Sequence, residues 1–202
     1  MPGVGVDTAF FYENAGKREK LLGEISADKD SVILLSVGEL SDRKNHSVSI
    51  KALSQIRNDN VHLVIAGTGE KREEFLSLAK DLGIDSRVHL LGFRTDIPAL
   101  LKSADIFLFP SVQEGLPVAL MEAMSSGLPV ICSEIRGNTD LIDESCGILC
   151  PATDVDAFKT AIEKLIADEA LRSSMAKSAL EESGKYDIKI IEKYMKDIYS
   201  GE

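Results

Sequence analysis

Short continuous apolar runs punctuate the chain at Val32–Val37, Leu63–Ala66, Val88–Leu91, Ile106–Phe109, Val130–Cys132 and Ile148–Cys150. None of them alternates cleanly with polar residues, so each predicts a strand buried on both faces, as in a parallel sheet. Segments with a helical period lie between them, near Asn45–Arg57, Lys71–Leu82, Asp96–Lys102 and Pro117–Ser126. Parallel strands require such crossovers, and the crossovers are nearly always right-handed, so the pattern predicts a doubly wound α/β sheet of about six strands. A short helix is expected over Ala15–Ile25 ahead of the first strand, and the opening PGVGVDT, within residues 1–12, reads as an extended connector. Two helices are expected at the end. Thr153 and Asp156 suggest a capping box before Val155, Phe158, Ile162, Leu165 and Ile166, and Ile188, Ile191, Tyr194, Met195 and Ile198 mark a last helix over residues 186–200.

Composition narrows the functional classes. The 202 residues carry 23 Lys and Arg against 33 Asp and Glu, a formal charge of -10, which argues against nucleic acid as a partner. A phosphate held here must be held by local groups. No apolar run reaches the length of a membrane span and the first residues lack a signal-peptide pattern, so a cytoplasmic protein is expected. Cys132, Cys146 and Cys150 sit in apolar surroundings and read as buried thiols, while His46, His62 and His89 are too scattered for a zinc site. No metal or other cofactor is expected.

Ligands of an open parallel sheet bind beyond the carboxyl ends of its strands, so the loops there are the places to search. The first runs from Gly38 and Glu39 to the adjacent cations Arg43 and Lys44 just before a helix, either an anion site or a solvated pair. The second holds Gly67-Thr68-Gly69, half of a dinucleotide fingerprint whose third glycine is replaced by Arg72. The third, Gly92-Phe93-Arg94, sets an aromatic ring and a guanidinium where they can flank a planar base or simply pack. In the fourth, Glu114-Gly115-Leu116-Pro117-Val118, proline opens a helix whose amino end favours an anion. Glu122 follows among Leu, Met and Ala. A carboxylate there is costly unless a protein group or a polar ligand meets it.

Glu114 and Glu122, in the context E-G-L-P-V-x-L-x-E-A-M, resemble the E-x7-E signature of the retaining glycosyltransferases of family four. Val37-Gly38, Arg43-Lys44-Asn45, Ala66-Gly67-Thr68-Gly69, Leu91-Gly92-Phe93, Ala104-Asp105-Ile106 and Pro110-Ser111 continue the resemblance in order. It covers the carboxy-terminal, donor-binding half of a GT-B enzyme, with the amino-terminal acceptor-binding half absent from this sequence. The resemblance implies that Arg43 and Lys44 serve the diphosphate of a nucleotide-sugar donor, with Gly38, Gly67 and Gly69 in the donor-side loops. Gly115, Leu116, Pro117 and Val118 would approach sugar and phosphates through their backbone, Glu122 would take the ribose hydroxyls, and Phe93 and Arg94 would border the base. Glu114, the catalytic candidate, would orient the transferred sugar. The implied reaction is transfer with retention through an oxocarbenium-like transition state to a saccharide or lipid-linked acceptor in surface-polysaccharide assembly, with the full-length enzyme peripheral to the inner membrane face. Glu39 stands where many family members have arginine, and Arg43 is the nearest replacement for that charge. Two other classes are compatible with the architecture: a nucleotide-sugar epimerase, which should show catalytic acids and histidines in this half, and a non-catalytic nucleotide-binding domain.

Overall fold

The computed structural model describes residues 4–200; the first three residues of the expected connector lie outside it, as do 201 and 202. Six strands, β1 (Val32–Val37), β2 (Val61–Ala66), β3 (Val88–Gly92), β4 (Ile106–Phe109), β5 (Val130–Ser133) and β6 (Gly147–Cys150), form one sheet. Their order is β3-β2-β1-β4-β5-β6 and all pairings are parallel. Alternate residues of each strand point to opposite faces. Ile33, Leu35, Val64, Phe107, Phe109 and Val130 enter one apolar layer; Leu34, Leu63, Ile65, Ile106, Leu108 and Ile131 enter the other.

Helices α2 (Arg18–Ile25), α5 (Ile97–Leu101) and α6 (Val118–Ser125) cover the first face. The second is covered by α3 (His46–Ser54), α4 (Arg72–Asp81) and α7 (Val155–Ala167). Each strand was expected within two residues of where it lies, because a run buried on both faces has no competing period. The helical ends differ more. α2 begins at Arg18, three residues later than expected. A Cβ at Gly16 would stand 2.7 Å from the Lys102 carbonyl oxygen, so that stretch runs against the chain after α5 instead of coiling.

Three expectations are corrected by local hydrogen bonding. The described part of the connector is not extended throughout: α1 (Thr8–Glu13) forms because the Asp7 carboxylate accepts from the Phe10 amide at 3.0 Å. α7 is capped by Asp154, which accepts from Ala157 N at 2.9 Å, and not by Thr153. Pro117 is the N-cap of α6 and not its first helical residue. A further helix, α8 (Glu169–Ser183), packs beneath α6 and α7 without having been expected. Its apolar positions are mostly Ala and Met among serines, too weak a stripe to stand out. The terminal helix α9 spans Ile188–Ser200, and the chain end is tied to its beginning where Val6 N donates to Tyr186 O and Ile188 N donates to Val6 O.

Several polar motif residues serve the scaffold. Asp105 accepts from the Ile33 amide at 2.7 Å and from Arg18, whose guanidinium also donates to the carbonyls of Ser31 and Ser103, locking the start of β4 to β1. Arg87 is buried and donates to the carbonyls of Ile56, Asn58 and Leu53, closing the carboxyl end of α3. His62 Nδ1 lies 3.1 Å from His89 Nε2 in a stacked pair, and burial pushes His89 down to about 4, so the pair is neutral at physiological pH. The cysteines are buried free thiols, with Cys150 pushed up to about 11 by burial. Among the described residues no group of three metal-ligating side chains converges, and no helix is long and apolar enough to cross a membrane.

Candidate active site

Strand order decides which loops meet. The sequence reverses direction across the sheet between β1 and β4, and at such a switch point the loops after the two strands splay apart and leave a crevice. The crevice therefore joins the Gly38–Lys44 loop to the Glu114–Val118 loop, segments 70 residues apart in sequence for Lys44 and Glu114. Val112 N donates to Arg43 O at 2.9 Å across this junction. Asn45 takes a left-handed conformation (φ 53°), and its side-chain amide donates to the carbonyls of Pro110 and Ala152.

The two loops meet at an ion cluster. Lys44 Nζ lies 2.8 Å from Glu114 Oε1, and Arg43 Nη1 is 3.1 Å from the same oxygen. The Glu114 side chain is only 8% exposed and that of Lys44 13%, against 46% for Arg43, so the Lys44 pair is the one that water screens least. Lys44 also stands over the Phe109 ring, 4.6 Å from its centroid. Its aliphatic stem runs along Gly38, where a Cβ would come within 3.1 Å of Lys44 Cδ and Cε. The adjacent cations are thus a built feature and not a solvated pair.

His46 underlies this loop. It is 1% exposed, with Nδ1 3.2 Å from Ser36 Oγ and Nε2 3.2 Å from the Glu39 carbonyl. Burial lowers its pKa to about 4, so the ring is neutral and can donate to the carbonyl while accepting from the serine. Sequence reasoning passed over this strut. The only available signal was its position immediately after Lys44-Asn45, because nothing in one sequence shows that the first helical turn folds back beneath its own loop.

The two glycines after β2 support the first loop through close backbone packing. A Cβ on Gly67 would lie 1.8 Å from the Gly38 carbonyl oxygen, and one on Gly69 would lie 2.4 Å from that of Leu40. No rotamer relieves either contact, because the clashing atom is Cβ itself. Gly67→Ala is expected to destabilise by roughly 3 kcal/mol or more, lowering Tm by about 6–12 °C in a chain of this size, as thermal denaturation will show.

α6 begins beyond the ion cluster. No side chain caps it, so its first amides remain available at the crevice. Gly115 is exposed, and a Cβ there would meet nothing within 4 Å; Leu116 is half-buried, Pro117 buried and Val118 38% exposed. Val118, Ala119 and Glu122, spaced three and four residues apart, make the open face of this otherwise buried helix. The Glu122 carboxyl makes no hydrogen bond or ion pair among the described residues, and burial raises its pKa to about 7. This is the carboxylate whose apolar neighbours demand a partner, and no described residue supplies one.

The rim near β3 is arranged differently. Phe93 is 77% exposed. The Arg94 guanidinium is taken up by Asp96 (Nε–Oδ1 2.7 Å, Nη2–Oδ2 2.9 Å) and by Glu24 of α2 at 2.6 Å. Its charge is therefore neutralised locally, and it fixes the rim's shape. Across the crevice, the Arg136-Gly137-Asn138 turn after β5 abuts the fourth loop. A Cβ on Gly137 (φ 96°) would lie 2.7 Å from Gly115 O and 3.0 Å from Glu114 O.

Residues 17–182 match the family described as glycosyl transferases group 1. The chain belongs to that family. It is 34% identical over 206 residues to the UDP-Gal:alpha-D-GlcNAc-diphosphoundecaprenol alpha-1,3-galactosyltransferase of Escherichia coli, covering 96% of this chain and 52% of the relative. Among solved structures, Anabaena HepE in complex with UDP-glucose superposes with a TM-score of 0.90 at 25% identity, over 98% of this chain and 56% of that one. WaaG, a glycosyltransferase involved in lipopolysaccharide biosynthesis, superposes with a TM-score of 0.83 at 27% identity, over 100% of this chain and 55% of that one. This group 1 chain spans about half the length of the curated relatives it matches. Its sheet is the Rossmann-like α/β fold of one half of a GT-B glycosyltransferase, as the sequence predicts.

Proposed function

We propose that this group 1 chain is the donor-binding half of a bacterial surface-polysaccharide glycosyltransferase that uses a UDP-sugar and acts with retention. The observation that carries the reading is the half-buried, unpartnered carboxyl of Glu122 on the open face of α6, set beside the Lys44–Glu114 pair. Ribose presents two vicinal hydroxyls, and a carboxylate with two free oxygens accepts both. Lys44, Arg43 and the uncapped start of α6 then supply positive potential to the diphosphate, whose charge grows as it departs, without a metal. Glu114, held by Lys44, orients the sugar while its charge favours an oxocarbenium-like centre.

The acceptor in this reading is a saccharide, lipid-linked as in the Escherichia coli relative's name, and the full-length enzyme works at the inner membrane face. In this reading the half of the relatives' length that this chain does not match supplies most of the acceptor site. The test is a titration of the chain with UDP, UDP-glucose and UDP-galactose followed by calorimetry. Saturable binding of UDP is expected, tightened by one of the sugars. Absence of heat and of any thermal stabilisation with all three would overturn the donor-site reading. An epimerase is disfavoured because His46 and the His62–His89 pair are engaged in the scaffold and none faces the crevice with an acid beside it.

A further inference from the structure

A hollow of about 1020 Å³ is lined by the Glu114–Leu116 segment and by Arg136, which follow β4 and β5, whereas Lys44 follows β1 on the other flank of β4. Glu114, Gly115, Arg136, Asp140, Tyr186 and Tyr194 line it, whereas Lys44 and Glu122 do not. A donor whose diphosphate lies against Lys44 therefore leaves this space empty, with the transferred sugar on the shared lip. The volume suits a ligand of one to several sugar rings.

Its lining has the chemistry for a charged saccharide. Arg136 is exposed and makes no hydrogen bond or ion pair among the described residues, whereas Arg43, Lys44 and Arg94 are all paired. A free guanidinium in a concave site of a chain of net charge -10 is a directed binding group for phosphate or carboxylate. Tyr186 is fixed by donating its hydroxyl to the Asp140 carbonyl at 3.1 Å, and Tyr194 of α9 is 46% exposed. Two tyrosines offer apolar ring faces for the C–H surface of a sugar and polar tips for its hydroxyls. The Arg136 turn is also held rigidly to the lip. Gly137 abuts the Glu114 and Gly115 carbonyls, and the Asn138 side-chain amide, buried, donates to Ser133 O at 2.9 Å. Arg136 thus stands at a fixed offset from where the sugar would be transferred.

We propose that this hollow is an acceptor subsite in the donor-side half, in which Arg136 grips a phosphate carried by the acceptor saccharide. The inference rests on the donor-binding reading above. The carrier of that phosphate is either a free sugar phosphate or a lipid-linked diphosphosaccharide, which share the recognised chemistry.

The experiment saturates the chain with UDP, to fill the diphosphate cradle, and then follows amide chemical shifts while adding glucose 1-phosphate, methyl α-glucoside or inorganic phosphate. Glucose 1-phosphate is expected to shift the amides of Arg136–Asp140 and Gly115 saturably and to bind about five-fold more tightly than either control. Arg136→Gln is expected to weaken it about ten-fold while leaving UDP affinity and Tm unchanged. Tighter binding of a geranyl diphosphoglucose supports the lipid-linked source, and equal binding supports the free one. Inorganic phosphate binding as tightly as glucose 1-phosphate, shifts confined to other loops, or an indifferent Arg136→Gln overturns the proposal. Failure of the wild-type chain to bind UDP overturns the donor reading and this inference together, whereas UDP binding without a sugar-phosphate response removes this inference alone.

Discussion

Glu122→Gln is expected to weaken UDP-sugar binding about ten- to fifty-fold while making the empty protein more stable at pH 8. The loss of affinity follows from replacing two carboxylate acceptors by one amide oxygen, at the cost of a charge-assisted hydrogen bond of about 1.5–3 kcal/mol. The gain in stability follows from the pKa. In the folded chain Glu122 titrates near 7, above the ordinary 4.5, because burial opposes its charge. Below the ordinary value the proton is bound in both states and the group contributes nothing. Between 4.5 and 7 the folded state keeps a proton that the unfolded state has released, so stability falls as pH rises, and above 7 the penalty is complete. Discounted for the group's partial exposure, the penalty is about 1–2 kcal/mol. Glu122→Gln should therefore raise Tm at pH 8, leave it unchanged at pH 4, and flatten the rise of donor affinity with pH expected of the wild type between about pH 5.5 and 8. Paired denaturation and calorimetry at those pH values check this. A loss of stability at pH 8 with donor affinity intact would make Glu122 a packing residue.

Lys44→Ala is expected to reduce UDP affinity about thirty- to a hundred-fold, because a little-screened ammonium beside the diphosphate is worth about 2–3 kcal/mol. It also strips Glu114 of its 2.8 Å partner. That carboxylate, 8% exposed, keeps only the longer contact to Arg43, so a stability loss of about 1–3 kcal/mol should accompany the change. Arg43→Ala, at the more exposed cation, should cost only a few-fold in affinity and little stability. The contrast between the two variants, measured by calorimetry and by urea denaturation, separates a desolvated phosphate-binding lysine from general positive charge. Equal effects would mean that only net charge matters. The pair also bears on Glu39, exposed on this loop in place of the usual arginine. Arg43 reaches Glu114 across the crevice, so the compensating charge sits on the far wall and not on the loop where arginine is usual.

What stood open to reading in the sequence was whatever depends on neighbours along the chain. The six apolar runs became the six strands because burial on both faces leaves an unbroken apolar signature that needs no partner to be recognised. The cost of a lone acid among Leu, Met and Ala likewise marks Glu122 in the sequence itself, and the motif order around it carries the family. Local hydrogen bonding was less legible, as Asp154 capping α7 in place of Thr153 and the weakly striped α8 show. The tertiary structure decided everything that depends on strand order. The reversal between β1 and β4 brings Lys44 to Glu114, the β1–β2 pairing gives Gly67 and Gly69 the work of admitting the first loop's backbone, and the β4–β5 pairing sets Gly137 against Gly115. Those are contacts between residues that parallel crossovers separate by tens of positions. A sequence records which groups are available, whereas the distance between them is fixed only once the sheet has ordered its strands.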